Sequence, residues 1–213
     1  MSSVAVIDYG MGNLHSIEKA LQHASPEVDV QIVSDAASIL LADRIVFPGV
    51  GAIRDCMLAL DNSGLSSVIK DVAKTKPFLG ICLGMQALLT NSEENNNTVC
   101  LDVLKGHVKH FSLDLKDDEG NRLKIPHMGW NKIKYKNHPL WQDIPQNSRF
   151  YFVHSYYVKP DNEKDSIAIT DYPQPFTSAL AKDNIFAVQF HPEKSQTAGL
   201  QLLKNFLSWD GKC

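Results

Sequence analysis

The chain has 213 residues, a formal net charge of −3, 44% hydrophobic residues and 21% charged residues. This composition is typical of a globular protein, and we expect a single domain over residues 1–213. No broad basic excess points to nucleic acid, and no run of 18 apolar residues predicts a membrane-spanning helix. The N-terminus lacks a signal-peptide pattern and the four cysteines form no C-x-x-C pair. We therefore expect a cytoplasmic protein with reduced thiols, no metal site and no cofactor.

Short apolar strands alternate with helices in the first half of the chain. We predict strands at residues 4–7, 28–33, 44–47 and 78–81. We predict helices at residues 14–23, 56–72 (broken near 62–64) and 83–90. Asn13 is suited to cap the first of these helices. This alternation predicts a mainly parallel sheet with helices on its faces.

The second half contains extended segments that follow one another too closely for intervening helices. They lie at residues 106–111, 131–135, 150–158, 167–170, 178–181 and 185–189. Antiparallel pairing is therefore expected. Polar residues 93–97 and acidic residues 117–119 are interpreted as solvated surface loops, and an amphipathic helix at 197–209 closes the chain. The predicted fold class is α/β: an open, mostly parallel central sheet flanked by helices, with extra antiparallel strands in the C-terminal half.

The fourth predicted strand ends in a G-x-C-x-G segment, with Cys82 between Gly80 and Gly84. The pattern parallels the G-x-S-x-G elbow, in which a tight turn projects a nucleophile from the sheet. The start of a helix favours a thiolate, and the amide of Leu83 would point toward a developing oxyanion. A buried core cysteine is the alternative, and the segment alone leaves the two interpretations about even. The other cysteines lack this setting and are interpreted as structural or incidental: Cys56, Cys100 and Cys213.

An H-P-E segment, with His191 and Glu193 either side of a proline, ends the last extended run. A catalytic thiol needs an imidazole to take its proton, and the imidazole needs a group to fix its tautomer. Sites in open α/β sheets form at the carboxyl ends of strands, which is where Cys82 and His191 both lie. For an isolated H-P-E segment, an ordinary surface turn is the favoured alternative.

A glycine-rich segment follows the third predicted strand, with Gly49 and Gly51 flanking Val50. Glycines let the backbone approach a ligand closely and turn an N–H toward it. We expect Val50 to supply a second oxyanion donor beside the amide of Leu83. An ordinary glycine-rich turn is the alternative.

Further polar residues are candidates for a pocket beside the nucleophile. Gln86 lies one helical turn beyond Cys82 and can face the same pocket, although a place on the helix surface is the alternative. His154, Ser155 and Tyr156 interrupt an apolar strand, where polar groups must find partners. A satisfied polar network in the core is the alternative for these three residues.

Six segments taken together resemble the class I, triad-type glutamine amidotransferases. Within that class they are most similar to the glutaminase subunits of imidazole glycerol phosphate synthases, of histidine biosynthesis. The segments are I-D-Y-G-M-G-N-L (7–14), P-G-V-G-A (48–52), G-I-C-L-G-M-Q (80–86), P-H-M-G-W-N (126–131), V-H-S-Y-Y (153–157) and Q-F-H-P-E-K-S (189–195). They span the chain in the family's order. The cysteine elbow and the H-P-E pair specify the class, and the first and fourth segments specify the subunit.

The resemblance implies a flavodoxin-like fold and a glutaminase whose triad is Cys82, His191 and Glu193. It implies that L-glutamine is bound by a set of residues around the elbow: Gly49, Gly51, Gln86, Ser155 and Tyr156. It also implies a heterodimer with a (β/α)₈-barrel cyclase, which uses the ammonia to make imidazole glycerol phosphate and aminoimidazole carboxamide ribotide. Met128 and Trp130 are expected to face this partner.

Three alternatives stay open on the sequence. The chain could be an amidotransferase for another acceptor, such as a sugar, although the P-H-M-G-W-N segment argues against this. It could be an amidotransferase-like binding module without turnover, although the intact triad argues against this. It could be a cysteine peptidase on a similar scaffold, which would hydrolyse peptides without a partner.

Overall fold

The computed structural model describes residues 2–112, 114, 116 and 119–212. The predictions for Cys213 and for acidic residues 117 and 118 lie outside these described residues. Within them, every helix is too short or too polar to cross a lipid bilayer.

The first half of the chain alternates between strands and helices, as predicted. Its strands are β1 (Ser3–Ile7), β2 (Asp29–Val33), β3 (Arg44–Gly49) and β4 (Phe78–Cys82). Its helices are α1 (Leu14–Ala24), α2 (Ala36–Leu41), α3 (Ile53–Asn62), α4 (Leu65–Val72) and α5 (Leu83–Ala87). The predicted break between α3 and α4 is confirmed, because Gly64 separates them with a φ of +70°. Asn13 occupies the N-cap position of α1, as predicted, but its side chain makes no capping hydrogen bond.

The second half is dominated by strands. They are β5 (Asn91–Ser92), β6 (Thr98–Val99), β7 (Gly106–His110), β8 (His127–Lys132), β9 (Lys134–Tyr135), β10 (Arg149–His154), β11 (Tyr156–Pro160), β12 (Ser166–Tyr172), β13 (Gln174–Lys182) and β14 (Ile185–Val188). A short turn of helix, α6 (Glu94–Asn97), lies between β5 and β6, and α7 (Gln196–Ser208) closes the fold. The single strand predicted over 150–158 is wrong, because the chain leaves one sheet at Ser155 and enters another.

The described strands form one large sheet and one separate pair. The main path of the large sheet runs β2-β1-β3-β4-β14-β13-β11-β7-β5-β6, with β12 and β9 attached beside β13. The run from β2 to β14 is parallel, whereas β13 is antiparallel to each of its neighbours. The separate pair, β8 and β10, is antiparallel. The predicted fold class is therefore confirmed.

Helices cover both faces of the parallel strands. In β1, Val4 and Val6 join a buried cluster with α1 and α7, whereas Ala5 and Ile7 join a second cluster with α2 to α5. Strands buried on both faces have nearly continuous apolar sequences. The carboxyl ends of β3, β4 and β14 lie side by side, and this edge holds the polar residues described next.

Candidate active site

Cys82 lies at a strained turn between β4 and α5. Its φ of 54° and ψ of −109° are unusual for a residue with a side chain. A Cβ on Gly84 would lie 1.9 Å from the carbonyl oxygen of Phe47, and one on Gly80 would lie 3.1 Å from Ala187. The turn therefore leaves no room for a side chain at Gly84, and a Cβ at Gly80 would require Ala187 to shift.

The helix that follows Cys82 is shorter than predicted. It ends at Ala87 because the amides of Leu88 and Leu89 bond three residues back, to Met85 and Gln86. The prediction of a helix reaching residue 90 is wrong, and the dipole of five residues adds little. The amide of Leu83 still lies in the first turn, where an N–H has no partner within its helix.

His191 and Glu193 form a buried pair directly after β14. The His191 Nδ1 lies 2.8 Å from the Glu193 Oε1, and both side chains are almost inaccessible to solvent. Because a carboxylate only accepts, Nδ1 donates, and the lone pair of the neutral ring is on Nε2. Nε2 is buried without a hydrogen-bond partner among the described residues. It is therefore the ring atom available to accept a proton.

The charge state of His191 depends on Cys82. Burial by itself lowers the pKa of His191, but interaction with the Cys82 sulfur, and then with Glu193, raises this pKa to about 10. The sulfur thus raises the pKa of the ring, although Nε2 makes no hydrogen bond of regular geometry among the described residues. Catalytic hydrogen bonds are often poorly aligned before substrate binds.

Two residues that sequence reasoning missed hold the backbone of His191. Its amide donates to the carbonyl of Tyr151 at 2.9 Å. Ser195 donates to the His191 carbonyl at 2.6 Å and accepts from the Tyr151 amide at 3.0 Å. These bonds anchor the turn that carries the imidazole to β10.

A pair of glutamines connects the sulfur with the neighbouring strand. Gln189 donates to the Cys82 sulfur at 3.7 Å. Gln86 donates to Gln189 at 3.0 Å and to the carbonyl of Tyr156 at 3.2 Å. Gln86 is buried, so the helix-surface alternative is wrong. Gln189 was missed as a site residue, although a polar residue two positions before the histidine is a usable signal.

A cavity of about 270 Å³ opens beside the cysteine and suits a molecule the size of an amino acid. It is lined by the predicted pocket residues except Gly49: Val50, Gly51, Gln86, Ser155 and Tyr156, with Cys82, Leu83 and His191. A larger groove of about 880 Å³ lies along β9 and β12. That groove contains none of the triad residues, so we place the chemistry in the smaller cavity.

Gly49 lies beneath the loop rather than at the cavity. A Cβ at this position would lie 2.3 Å from the Tyr9 hydroxyl and 3.0 Å from the Cβ of Leu83. Val50, the next residue, is 40% exposed at the cavity mouth. Gly51 has a φ of +103°, which is a conformation that favours glycine.

Glu94 also lines the cavity and was missed. Its Oε2 accepts from the amide of Ile53 at 3.0 Å. The interpretation of residues 93–97 as a solvated surface loop is therefore wrong for Glu94. Asn95 and Asn96 adopt left-handed conformations, which asparagine tolerates, and the tight turn holds the glutamate inward.

His154 belongs both to the cavity wall and to a satisfied polar network. Its Nδ1 donates to the carbonyl of Tyr156 at 2.7 Å, and its Nε2 lies 3.0 Å from the Nδ1 of His127. Burial lowers the pKa of His154 to about 3 and that of His127 to about 4. Both rings are therefore neutral near pH 7, and His154 contributes shape and polarity rather than charge.

Met128 and Trp130 lie on one face of β8, and they are 62% and 43% exposed. Pro126, just before this strand, lines the cavity. Exposed apolar residues that cluster in this way commonly mark an interaction surface. Met128 and Trp130 therefore form an exposed apolar patch that follows a cavity residue closely in the sequence.

The comparisons with known proteins agree with this geometry. A family profile described as glutamine amidotransferase class-I matches residues 5–209. The chain is 59% identical to an imidazole glycerol phosphate synthase subunit HisH from Methylococcus capsulatus, over 99% of this chain and 98% of the relative. It is 55% identical to the subunit of the same name from Pseudomonas syringae pv. syringae, over the full length of both.

Solved structures share the fold at low identity. A crystal structure of a glutamine amidotransferase superposes with a TM-score of 0.73 at 14% identity, covering 96% of this chain and 97% of the other. A putative GMP synthase subunit from Thermoplasma acidophilum has a TM-score of 0.70 at 22% identity, covering 98% and 93%. From the family profile and the full-length relatives, the chain belongs to the class-I glutamine amidotransferase family and, within it, to the imidazole glycerol phosphate synthase HisH subunits.

Proposed function

We propose that this chain is the glutaminase subunit of an imidazole glycerol phosphate synthase. It hydrolyses L-glutamine to glutamate and ammonia through a thioester on Cys82, and a partner subunit uses the ammonia. The observation that carries the proposal is the meeting of Cys82 with the buried His191–Glu193 pair beside a cavity of about 270 Å³. The names of the relatives are consistent with this reaction.

The first half-reaction forms the thioester. The proton of Cys82 moves to the Nε2 of His191, and the sulfur attacks the side-chain amide carbon of glutamine. His191 then returns this proton to the amide nitrogen, the C–N bond breaks and ammonia leaves. Glu193 accepts from the Nδ1 at 2.8 Å, which fixes the tautomer that this step requires.

The second half-reaction regenerates the thiol. His191 takes a proton from a water molecule, and the hydroxide attacks the thioester carbonyl. The C–S bond breaks, glutamate leaves and the sulfur regains its proton. In both halves the negative charge on the carbonyl oxygen is stabilised by backbone donors, for which we propose the amides of Leu83 and Val50.

Glutamine carries an ammonium and a carboxylate in addition to its reacting amide. The carboxylate of Glu94 lies in the cavity wall and suits the ammonium. We propose the remaining contacts from the other cavity residues: Gly51, Gln86, Ser155 and Tyr156. Gly49 supports them indirectly, because it packs between the Tyr9 hydroxyl and Leu83 beneath the loop.

The partner proposed is a (β/α)₈-barrel cyclase in a heterodimer. Met128 and Trp130 provide an exposed apolar surface, and the partly exposed Val50 lies at the cavity mouth. A partner docked there receives ammonia directly, before water protonates it and removes its nucleophilicity. We place the complex in the cytoplasm, because the mechanism needs Cys82 as a free thiol and that compartment keeps thiols reduced.

The test compares two cysteine substitutions in the complex with the cyclase and its nucleotide ligand. Cys82→Ala is expected to abolish product formation from glutamine, while ammonium salts still support it. Cys100→Ala is the matched control, because Cys100 is equally buried but lines no part of the cavity. It is expected to keep both activities.

Covalent labelling separates a thioester enzyme from a binding module. A glutamine analogue with an electrophilic side chain should add one label to the wild-type chain, at Cys82. Unchanged glutamine turnover in Cys82→Ala, or a label elsewhere, would remove Cys82 from its proposed role.

A further inference from the structure

Tyr9 has a buried hydroxyl that the triad mechanism does not use. It lies in the loop after β1, and its ring packs against Phe47 with centroids 5.5 Å apart. The hydroxyl donates to the carbonyl of Pro48 at 2.9 Å. Pro48 is two residues before Val50, so this bond reaches the segment that carries the proposed second oxyanion donor.

A hydrogen bond to one carbonyl constrains the whole peptide unit. The peptide group is planar and trans, so the C=O of Pro48 and the N–H of Gly49 point in opposite directions. Holding the carbonyl toward Tyr9 therefore fixes the direction of the Gly49 amide and the angle at which the loop leaves β3. Gly51, two residues beyond this peptide unit, has a φ of +103°, a conformation that favours glycine.

Tyr9 also reaches the start of α5. Its hydroxyl fills the space that a side chain on Gly49 would occupy, and the same space borders the Cβ of Leu83. One oxygen atom thus lies beneath both segments proposed to supply oxyanion donors, the loop with Val50 and the first turn of α5.

Cys56 completes the arrangement from α3. Its thiol donates to the Tyr9 oxygen at 3.6 Å. Burial raises the pKa of Cys56 to about 11, and burial together with Cys56 raises the pKa of Tyr9 well above its usual value. Both groups therefore keep their protons at neutral pH, and a chain of donors runs from Cys56 through Tyr9 to Pro48.

We propose that Tyr9, supported by Cys56, is a positioning residue that holds the oxyanion loop against the start of α5. This inference rests on the proposed function, because it assigns Tyr9 a role in the same reaction. Tyr9 does not line the substrate cavity. It acts on the transition state through the loop and leaves glutamine binding unchanged.

The test is Tyr9→Phe, which removes one oxygen and keeps the ring against Phe47. Turnover is measured in the complex with the cyclase and its nucleotide ligand. We expect kcat for glutamine to fall about threefold to tenfold, the size of one lost hydrogen bond, with KM within about twofold of wild type. Tyr135→Phe is the matched control, because Tyr135 also donates its hydroxyl to a carbonyl, but that of Ile144, which lies outside the oxyanion loop. It should keep the wild-type kcat.

A second measurement distinguishes the loop from the sulfur. Iodoacetamide alkylates Cys82 without forming an oxyanion, and the rate is followed by mass spectrometry of the Cys82 peptide. Tyr9→Phe should alkylate at the wild-type rate within about twofold. A parallel fall in alkylation and turnover, a change in KM alone, or an unchanged kcat would each overturn the proposal.

Cys56→Ala is the second variant and keeps the proposal testable if Tyr9→Phe does not fold. It removes the buried thiol that donates to the Tyr9 oxygen, and kcat should fall about twofold with KM unchanged. A wild-type kcat in a folded Cys56→Ala would contradict the role of the donor chain. Loss of the proposed function itself is distinct, because the wild-type complex would then show no glutaminase activity at all.

Discussion

Gly84 is a point of close approach between α5 and β3, and Gly84→Ala tests whether this approach builds the site. The new Cβ would lie 1.9 Å from the carbonyl oxygen of Phe47 and 2.9 Å from its carbonyl carbon. Cβ atoms essentially never come within 3.0 Å of a heavy atom outside their own residue and its chain neighbours. The backbone of α5 or of β3 must therefore move by about 1 Å, because neither clashing atom belongs to a flexible side chain.

Two opposing effects determine how far Gly84→Ala changes the free energy of unfolding. Alanine is a better helix former than glycine by about 1 kcal/mol, which favours the variant. Overpacking against rigid backbone costs about 3 kcal/mol, so we expect a net loss near 2 kcal/mol of unfolding free energy. The displacement carries the amide of Leu83 and the sulfur of Cys82 with it. Because a 1 Å misplacement can cost about 100-fold in rate, kcat should fall by about that factor.

Urea denaturation and glutamine turnover in the complex measure the two effects. Gly64→Ala is the control, because Gly64 has a φ of +70° with open space around its Cβ position. The free energy of unfolding of Gly64→Ala should fall by about 1 kcal/mol, because alanine is strained in a left-handed conformation, and its kcat should be unchanged. If Gly84→Ala keeps its stability and turnover, the packing argument for the elbow is refuted.

Three further substitutions test the charge, acid response and surface of the protein. Glu193→Gln should lower the pKa of His191, which Glu193 helps to raise, and reduce kcat about 100-fold in a pH–rate profile; an unchanged profile would contradict the orienting role. Burial lowers the pKa of His138 from 6.5 to about 4, so the unfolded state binds more protons between these values and stability falls as pH falls through this window. On going from pH 7 to pH 4.5, the free energy of unfolding should therefore fall by about 2 kcal/mol less in His138→Asn than in the wild type, as measured by urea denaturation. Equal losses in the two proteins would refute the assignment. Trp130→Ala should weaken cyclase binding by about 2 kcal/mol in titration calorimetry, whereas the control Leu41→Ala, on the exposed face of α2, should not; equal affinities would place the interface elsewhere.

The parallel strands were predictable because burial on both faces leaves a simple trace in the sequence. In β1 and β4, every residue from Val4 to Ile7 and from Phe78 to Cys82 is buried. Such strands are unbroken apolar runs between polar turns. Their order in the sheet follows from right-handed crossovers rather than from any one residue.

Other elements have no comparable pattern in the sequence. In α2, Ile39 is the one buried residue, and Leu40 and Leu41 are exposed. In α5 all five residues are buried, so no periodicity distinguishes helix from strand. The shortness of α5 follows from the tertiary structure, because the chain must turn at once into β5.

The candidate site also contains residues that the local sequence indicates and residues that only the folded chain brings together. Cys82, His191 and Glu193 follow buried strands, and their spacing already indicates chemistry. Gln189 contacts residues about a hundred positions away, and Glu94 bonds to the amide of Ile53 across 41 positions. Such partners are determined by the folded sheet, and no local spacing encodes them.

The unsatisfied atoms of the structure suggest why this edge is reactive. Buried polar atoms normally have hydrogen-bond partners, and leaving one unpaired costs about 1–3 kcal/mol. Among the described residues, the Nε2 of His191 and the Oε2 of Glu193 are both buried and unpaired, and Cys82 has a strained backbone beside them. The two buried clusters and the bonds that anchor the turn at His191 stabilise the fold and offset these unfavourable energies. Despite burial, interaction with the Cys82 sulfur and with Glu193 raises the pKa of His191 to about 10, which favours a proton on Nε2. The buried edge therefore favours a protonated ring beside the sulfur, the state from which the sulfur attacks.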